Sequence, residues 1–205
     1  MELALLQSWK TFEAYAALGA PQDSLEVLAT RLEALLALDG RWDCPVRWNA
    51  LGLAYPELRR AANPPRCGPH PYLPMQSALS RGDRAAVRTQ FLALRGVRST
   101  SFGDVAAHNV YHEAWLVLQA GDTSAAIQHL DGLLGALASL RTSALDEATD
   151  AAGLVRAMAL RADLAAARGD RSKAREWARP VSILWRRADP ELQGLVRRMN
   201  GLLPE

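Results

Sequence analysis

Several residue types are scarce in this chain of 205 residues, and each scarcity argues against a class of protein. The two cysteines, Cys44 and Cys67, have no CxxC spacing and no nearby ligand set, so no zinc motif is indicated. A disulfide between them is one interpretation, and two unrelated thiols is the other. No apolar run reaches the roughly 18 residues that a membrane-spanning helix requires. The formal net charge of +2 gives no overall case for nucleic-acid binding.

Motifs for catalysis and for cofactor binding are also missing. The sequence contains no Gly-x-Ser-x-Gly, no phosphate-binding loop and no glycine-rich dinucleotide fingerprint. His108 and His112 are spaced to share one helix face, but Asn109 stands where a zinc protease motif requires glutamate. No third ligand is indicated. We therefore expect no catalytic residue, no metal site and no cofactor.

Alanine and leucine dominate the apolar residues, and this composition favours an all-α fold. Seven prolines between Pro45 and Pro74 predict an irregular segment over 40–74, with short helices near 45–54 and 56–62. Pro180 lies inside a predicted helix and predicts a kink or a break there. Apolar periodicity predicts the longer helices at 2–18, 22–38, 73–80, 83–95, 103–120, 122–139, 144–168, 170–186 and 188–200.

The clearest local pattern is a Gly-Asp turn between two amphipathic segments, at Gly121-Asp122. Glycine adopts the left-handed conformation that ends a helix, and aspartate can cap the helix that follows. So short a connection makes the two helices antiparallel. The same pair recurs at Gly82-Asp83 and at Gly169-Asp170, which indicates an internal repeat of helical hairpins.

These hairpins resemble the tetratricopeptide repeat, in which small residues stand seven places before and five places after the turn glycine. The corresponding positions are Ala114 and Ala126 around Gly121, Ala162 and Ala174 around Gly169, and the larger Met75 and Val87 around Gly82. The turn glycines lie 39 and 48 residues apart, whereas a regular array repeats about every 34 residues. The resemblance covers 72–186 and implies a stack of antiparallel hairpins.

The domain organisation expected from this resemblance is one helical-repeat domain over 1–205. It would comprise a hairpin at 1–39, the proline-rich connector at 40–74, and tetratricopeptide-like hairpins over 75–205. The segment from Leu154 to Asp170 also resembles helical-repeat regions behind serine/threonine kinase domains of high-GC bacteria. That similarity implies a regulatory or scaffold part of a bacterial signalling protein.

The tetratricopeptide resemblance implies that the first helix of each hairpin lines a concave groove. A mixed stripe of aromatic, amide and charged side chains suits a peptide ligand, because rings supply contact area and polar groups fix orientation. The alternative is that Tyr111 and Trp115 belong to the core. The groove residues expected are Tyr72, Gln76, His108, Tyr111, Trp115, Gln119, Arg156 and Asp163.

The expected function is therefore non-catalytic binding of a protein or peptide, with an acidic partner favoured by the basic C-terminal third. Between Arg156 and Arg198 there are ten arginines and one lysine against five acidic residues. Two alternatives stay open: a basic helical module that binds nucleic acid, and an enzyme with a site near 40–74. The expected compartment is cytoplasmic if Met1 is the native start, and periplasmic if the chain is part of a membrane-anchored protein.

Overall fold

A computed structural model describes Thr11 and residues 21–39, 73–97, 106–140, 148–188 and 190–204. All the regular secondary structure in these residues is helical. The chain divides into two compact units, one of residues 1–98 with 119–121 and the other of residues 99–118 with 122–205. The single domain over 1–205 stays a prediction.

Eight α-helices lie in the described residues, and two 3-10 helices, Leu137–Ser139 and Pro190–Leu192, accompany them. The α-helices are α1 (Gln22–Asp39), α2 (Leu73–Ser80), α3 (Arg84–Val97), α4 (Ala107–Gln119), α5 (Thr123–Gly135), α6 (Ala148–Ala167), α7 (Arg171–Leu184) and α8 (Gln193–Asn200). Predicted and observed helices agree in number and order over these residues. Their ends differ by a few residues. A 3-10 helix, Leu137–Ser139, follows the shortened α5, and another, Pro190–Leu192, precedes the shortened α8.

The three Gly-Asp turns share one backbone geometry. Gly82, Gly121 and Gly169 all have positive φ, at 76°, 83° and 77°. In each turn the aspartate N–H donates to the carbonyl five residues earlier, over 2.9 to 3.1 Å, which is the long hydrogen bond of a Schellman motif. The aspartate Oδ1 then accepts from the backbone N–H three residues later, at 3.0 Å. Both roles predicted for the Gly-Asp pair, the helix end and the helix cap, are confirmed.

The positions flanking each turn glycine are buried in all three hairpins. Ala114 and Ala126 have no exposed surface, and Ala162 and Ala174 are at most 2% exposed. Met75 and Val87 are also fully buried, so the first hairpin uses the same positions with larger side chains. In the second unit α6 packs against α5 and α7, and α7 packs against α8.

Pro180 does not break its helix, because α7 continues from Arg171 to Leu184. Proline in a helix interior removes one hydrogen bond and costs about 3 kcal/mol, and packing of the neighbouring residues offsets this cost. Ala178 and Val181, which flank Pro180, are fully buried. Of the predicted kink or break, the break is therefore wrong and the kink stays a prediction; tertiary packing overrides the tendency of proline to end a helix.

The hairpin at 1–39 is described only for Thr11 and residues 21–39. Of the proline-rich connector at 40–74, only Leu73 and Pro74, the first residues of α2, are described, and the rest lies outside the described residues. Cys44 and Cys67 fall in that connector, as does the site of the enzyme alternative. No helix in the described part of the chain is long and apolar enough to cross a membrane.

Candidate functional site

The predicted groove residues of α4 are the less buried positions of a helix that is buried on most of its other sides. Val110, Ala114 and Val117 have no exposed surface, whereas Tyr111 and Trp115 are half-buried. Gln119, the last residue of α4, is exposed. The two aromatic residues are therefore not wholly core residues, and each presents part of its ring to solvent.

Tyr111 and Arg156 are brought together from α4 and α6. The guanidinium carbon of Arg156 lies 5.9 Å from the centroid of the Tyr111 ring, which is within the range of a cation–π contact. Arg156 is 9% exposed, so most of the residue is buried where its guanidinium meets the ring. We call His108, Tyr111, Trp115 and Arg156 the α4–α6 surface.

His108 is held by Asp150, which lies in the first turn of α6. The Nδ1 of His108 is 2.7 Å from the Oδ1 of Asp150, and the backbone N–H of His108 donates to the same oxygen at 3.3 Å. Burial raises the pKa of Asp150, but the hydrogen bonds and the charge of His108 outweigh burial and lower it below its ordinary value. Asp150 is therefore a carboxylate at neutral pH, so Nδ1 of His108 carries the proton that they share.

Gly153 allows α6 to come this close to α4. A Cβ at position 153 would lie 2.4 Å from the Cα of His108 and 2.5 Å from its backbone nitrogen. Real Cβ atoms do not approach backbone this closely, so only glycine fits here. The contact with Asp150 and the contact with Tyr111 both depend on this approach, because Asp150 and Arg156 each lie one turn or less from Gly153.

A buried polar pair lies behind the α4–α6 surface. The Nε2 of His129 on α5 is 2.7 Å from the Oε2 of Glu113 on α4, with side-chain exposures of 5% and 1%. The pair joins the two helices of one hairpin. This pair was not predicted from the sequence, although a signal for it exists: Glu113 stands between Val110 and Val117 at the spacing of the apolar face.

Two further ion pairs fix α6 on its other sides. The Nε of Arg161 lies 2.7 Å from Oδ1 of Asp131, which ties α6 to α5. Asp163, one of the predicted groove residues, pairs instead with Arg198 of α8 at 3.1 Å. This second pair is largely exposed and contributes little to stability. Its consequence is that the Asp163 carboxylate is already paired with Arg198.

Of the other predicted groove residues, Gln76 lies in α2, which belongs to the first unit, and Tyr72 lies outside the described residues. Among the side chains that the structure describes, no three His, Cys, Asp or Glu residues converge to hold a metal ion. The α4–α6 surface therefore offers aromatic area, a guanidinium and an oriented imidazole.

Comparisons with protein-family models, with curated proteins and with solved structures found no match to this chain.

Proposed function

We propose that the chain is a non-catalytic helical-repeat module that binds a protein or peptide segment on the α4–α6 surface. The observation that carries this proposal is the contact of Tyr111 with Arg156, one helical turn from the half-buried Trp115. Tyrosine, tryptophan and arginine are the residues that contribute most to binding energy at protein interfaces. A segment with an apolar side chain next to a carboxylate is complementary to this set.

Within this proposal, α4–α5 and α6–α7 are consecutive tetratricopeptide-like repeats. Two observations support that arrangement. Both hairpins have the same turn, with a left-handed glycine and a capping aspartate. The small residues around Gly121 and Gly169 are buried in both. A regulatory or scaffold role in a larger signalling protein is part of the proposal and rests on the sequence resemblance alone.

Rigidity of the surface also supports a binding role. His108 is fixed by Asp150, and Glu113 behind it is fixed by His129. A surface whose side chains are already ordered loses less conformational entropy when a ligand binds. The α4–α6 surface therefore combines large side chains with a small loss of conformational entropy on binding.

The test is selection of binders from a random peptide library against the full-length chain, followed by affinity measurement of the selected peptides. Trp115→Ala should weaken binding by about tenfold or more, the loss of one strong interface contact. Trp177→Ala is the matched control, because Trp177 is also a half-buried tryptophan but lies on α7. Circular dichroism checks that both variants are folded.

Arg156→Gln is a second variant, used if Trp115→Ala unfolds, since it keeps much of the side-chain volume. It should weaken the same peptides. Equal affinity of the wild type, Trp115→Ala and Arg156→Gln would exclude the α4–α6 surface as the binding site. Failure to select any peptide would count against a peptide-binding function.

A further inference from the structure

The exposed side of α7 carries three arginines in a single row. Arg171, Arg175 and Arg179 are four residues apart, so they lie on one stripe of the helix with about 6 Å between successive positions. All three are exposed, and none forms an ion pair with another residue in the described part of the chain. We call these three residues the arginine row.

The charge of the row is not neutralised within α7. Its one ion pair joins Lys173 to Glu176 at 2.9 Å, on a neighbouring side of the helix. Like charges four residues apart repel and weaken a helix. The three arginines therefore repel one another on an exposed surface, and an anionic partner would reduce this repulsion.

Two large aliphatic side chains lie at the C-terminal end of the row. Ile183 follows Arg179 by four residues and is 64% exposed, and the adjacent Leu184 is 59% exposed. Burial of such side chains against a partner is favourable because apolar area leaves water. The exposed surface of α7 is therefore basic over its first three turns and apolar at its end.

We propose that the arginine row and Ile183 form a docking surface for an acidic protein segment. The partner presents carboxylates one helical turn apart and an apolar side chain beyond them. Each guanidinium can hold a carboxylate through two parallel hydrogen bonds, and Ile183 contacts the apolar residue. This surface lies on α7 and does not depend on the α4–α6 surface.

The exposed aliphatic residues at the end of the arginine row favour an acidic protein as the partner over a nucleic acid or an anionic membrane. A nucleic acid would match the arginines with its phosphates, but single strands gain further affinity by stacking on aromatic rings, and Ile183 and Leu184 offer none. Helices that lie on anionic membranes carry their apolar residues along the whole length of one face. In α7 the exposed aliphatic residues occur only at one end of the row.

The experiment measures fluorescence anisotropy of a labelled helical peptide with three glutamates spaced by four residues, followed by leucine at the same spacing. Its twin has glutamine in place of each glutamate. The full-length chain should bind the glutamate peptide, and the glutamine twin should bind at least about tenfold more weakly. Ile183→Ser should also weaken binding of the glutamate peptide, because the apolar contact is lost.

Matched charge reversals locate the site. Arg179→Glu should weaken binding by about tenfold, whereas Arg197→Glu should not. Arg197 is an exposed arginine of α8 outside the row, so both variants change the net charge equally. A lysine version of the peptide should bind Arg175→Glu/Arg179→Glu more tightly than it binds the wild type. All these positions are exposed, and circular dichroism should show unchanged helix content.

Three results would overturn the proposal. The first is equal affinity of Arg179→Glu and Arg197→Glu for the glutamate peptide. The second is equal affinity of the glutamate and glutamine peptides for the wild type. The third is tighter binding of a single-stranded oligonucleotide, or of phosphatidylserine vesicles, than of the glutamate peptide, which would assign the row to nucleic acid or to membrane.

Discussion

Replacement of Gly153 by alanine is expected to force α6 away from the first turn of α4. The new Cβ would lie 2.4 Å from the Cα, 2.5 Å from the nitrogen and 2.8 Å from the Cβ of His108. Non-bonded carbon atoms prefer a separation of about 3.5 to 4.0 Å, so the two helices must move apart by about 1 Å. Backbone atoms cannot rotate away as a side chain can, and the whole helix contact must adjust.

Two effects of opposite sign decide the size of the change. Alanine favours a helix interior over glycine by about 1 kcal/mol. Overpacking of a close contact typically costs about 1 to 3 kcal/mol, and a clash with backbone belongs at the upper end. We therefore expect Gly153→Ala to lower the free energy of unfolding by about 2 kcal/mol.

The assay is urea unfolding followed by circular dichroism, with hydrogen exchange of the amides in α4 and α6 as a local measure. Gly135→Ala is the control, because nothing lies within 4 Å of a Cβ at position 135. That variant should be as stable as the wild type or slightly more stable. If Gly153→Ala were as stable as Gly135→Ala, the inferred close contact between α6 and His108 would be refuted.

Three further changes test other parts of the second unit. Glu113→Ala should lower the free energy of unfolding by about 3 kcal/mol, because His129 loses its carboxylate partner in a buried position; a cost below about 1 kcal/mol in urea unfolding would contradict this. Asp122→Ala removes a helix cap and should cost about 1 kcal/mol by the same measurement, whereas Ser124→Ala should be nearly neutral. Asp150 has a lowered pKa in the folded chain, so its stabilising contribution is complete above its ordinary pKa and is lost as the pH falls through the lowered value. Unfolding free energies measured from neutral to acidic pH should therefore fall less steeply for Asp150→Asn than for the wild type, and identical slopes would contradict the contact with His108.

The Gly-Asp turns were predictable from sequence because the forces that form them are local. The left-handed conformation at Gly121 follows from the absence of a Cβ, and the cap at Asp122 needs only the N–H three residues later. Every participating atom lies within a few residues along the chain. The same argument applies to Gly169-Asp170, and there too the prediction is confirmed.

Contacts between helices were harder to predict because they depend on how the helices pack. The pair of Glu113 and His129 spans 16 residues, and the approach of Gly153 to His108 spans 45. A polar residue on an apolar helix face signals a buried partner but does not identify it. A glycine in a helix signals a close approach but does not identify the neighbour. Helical spacing alone predicted that Tyr111 and Trp115 lie on one stripe of α4. The contact of Tyr111 with Arg156 could not be predicted in this way, because it depends on where α6 packs against α4.

The position of α6 is set mainly by residues that do not line the α4–α6 surface. Asp150 holds its first turn to α4 through His108, and Arg161 holds its second half to α5 through Asp131. Arg156 lies between these two attachments, so the distance from its guanidinium to Tyr111 depends on both. Asp131→Asn should therefore weaken peptide binding on the α4–α6 surface although Asp131 lies on α5 and pairs with Arg161. Coupling of this kind follows because a packed helix moves as a rigid element, so releasing one end displaces the side chains along its length.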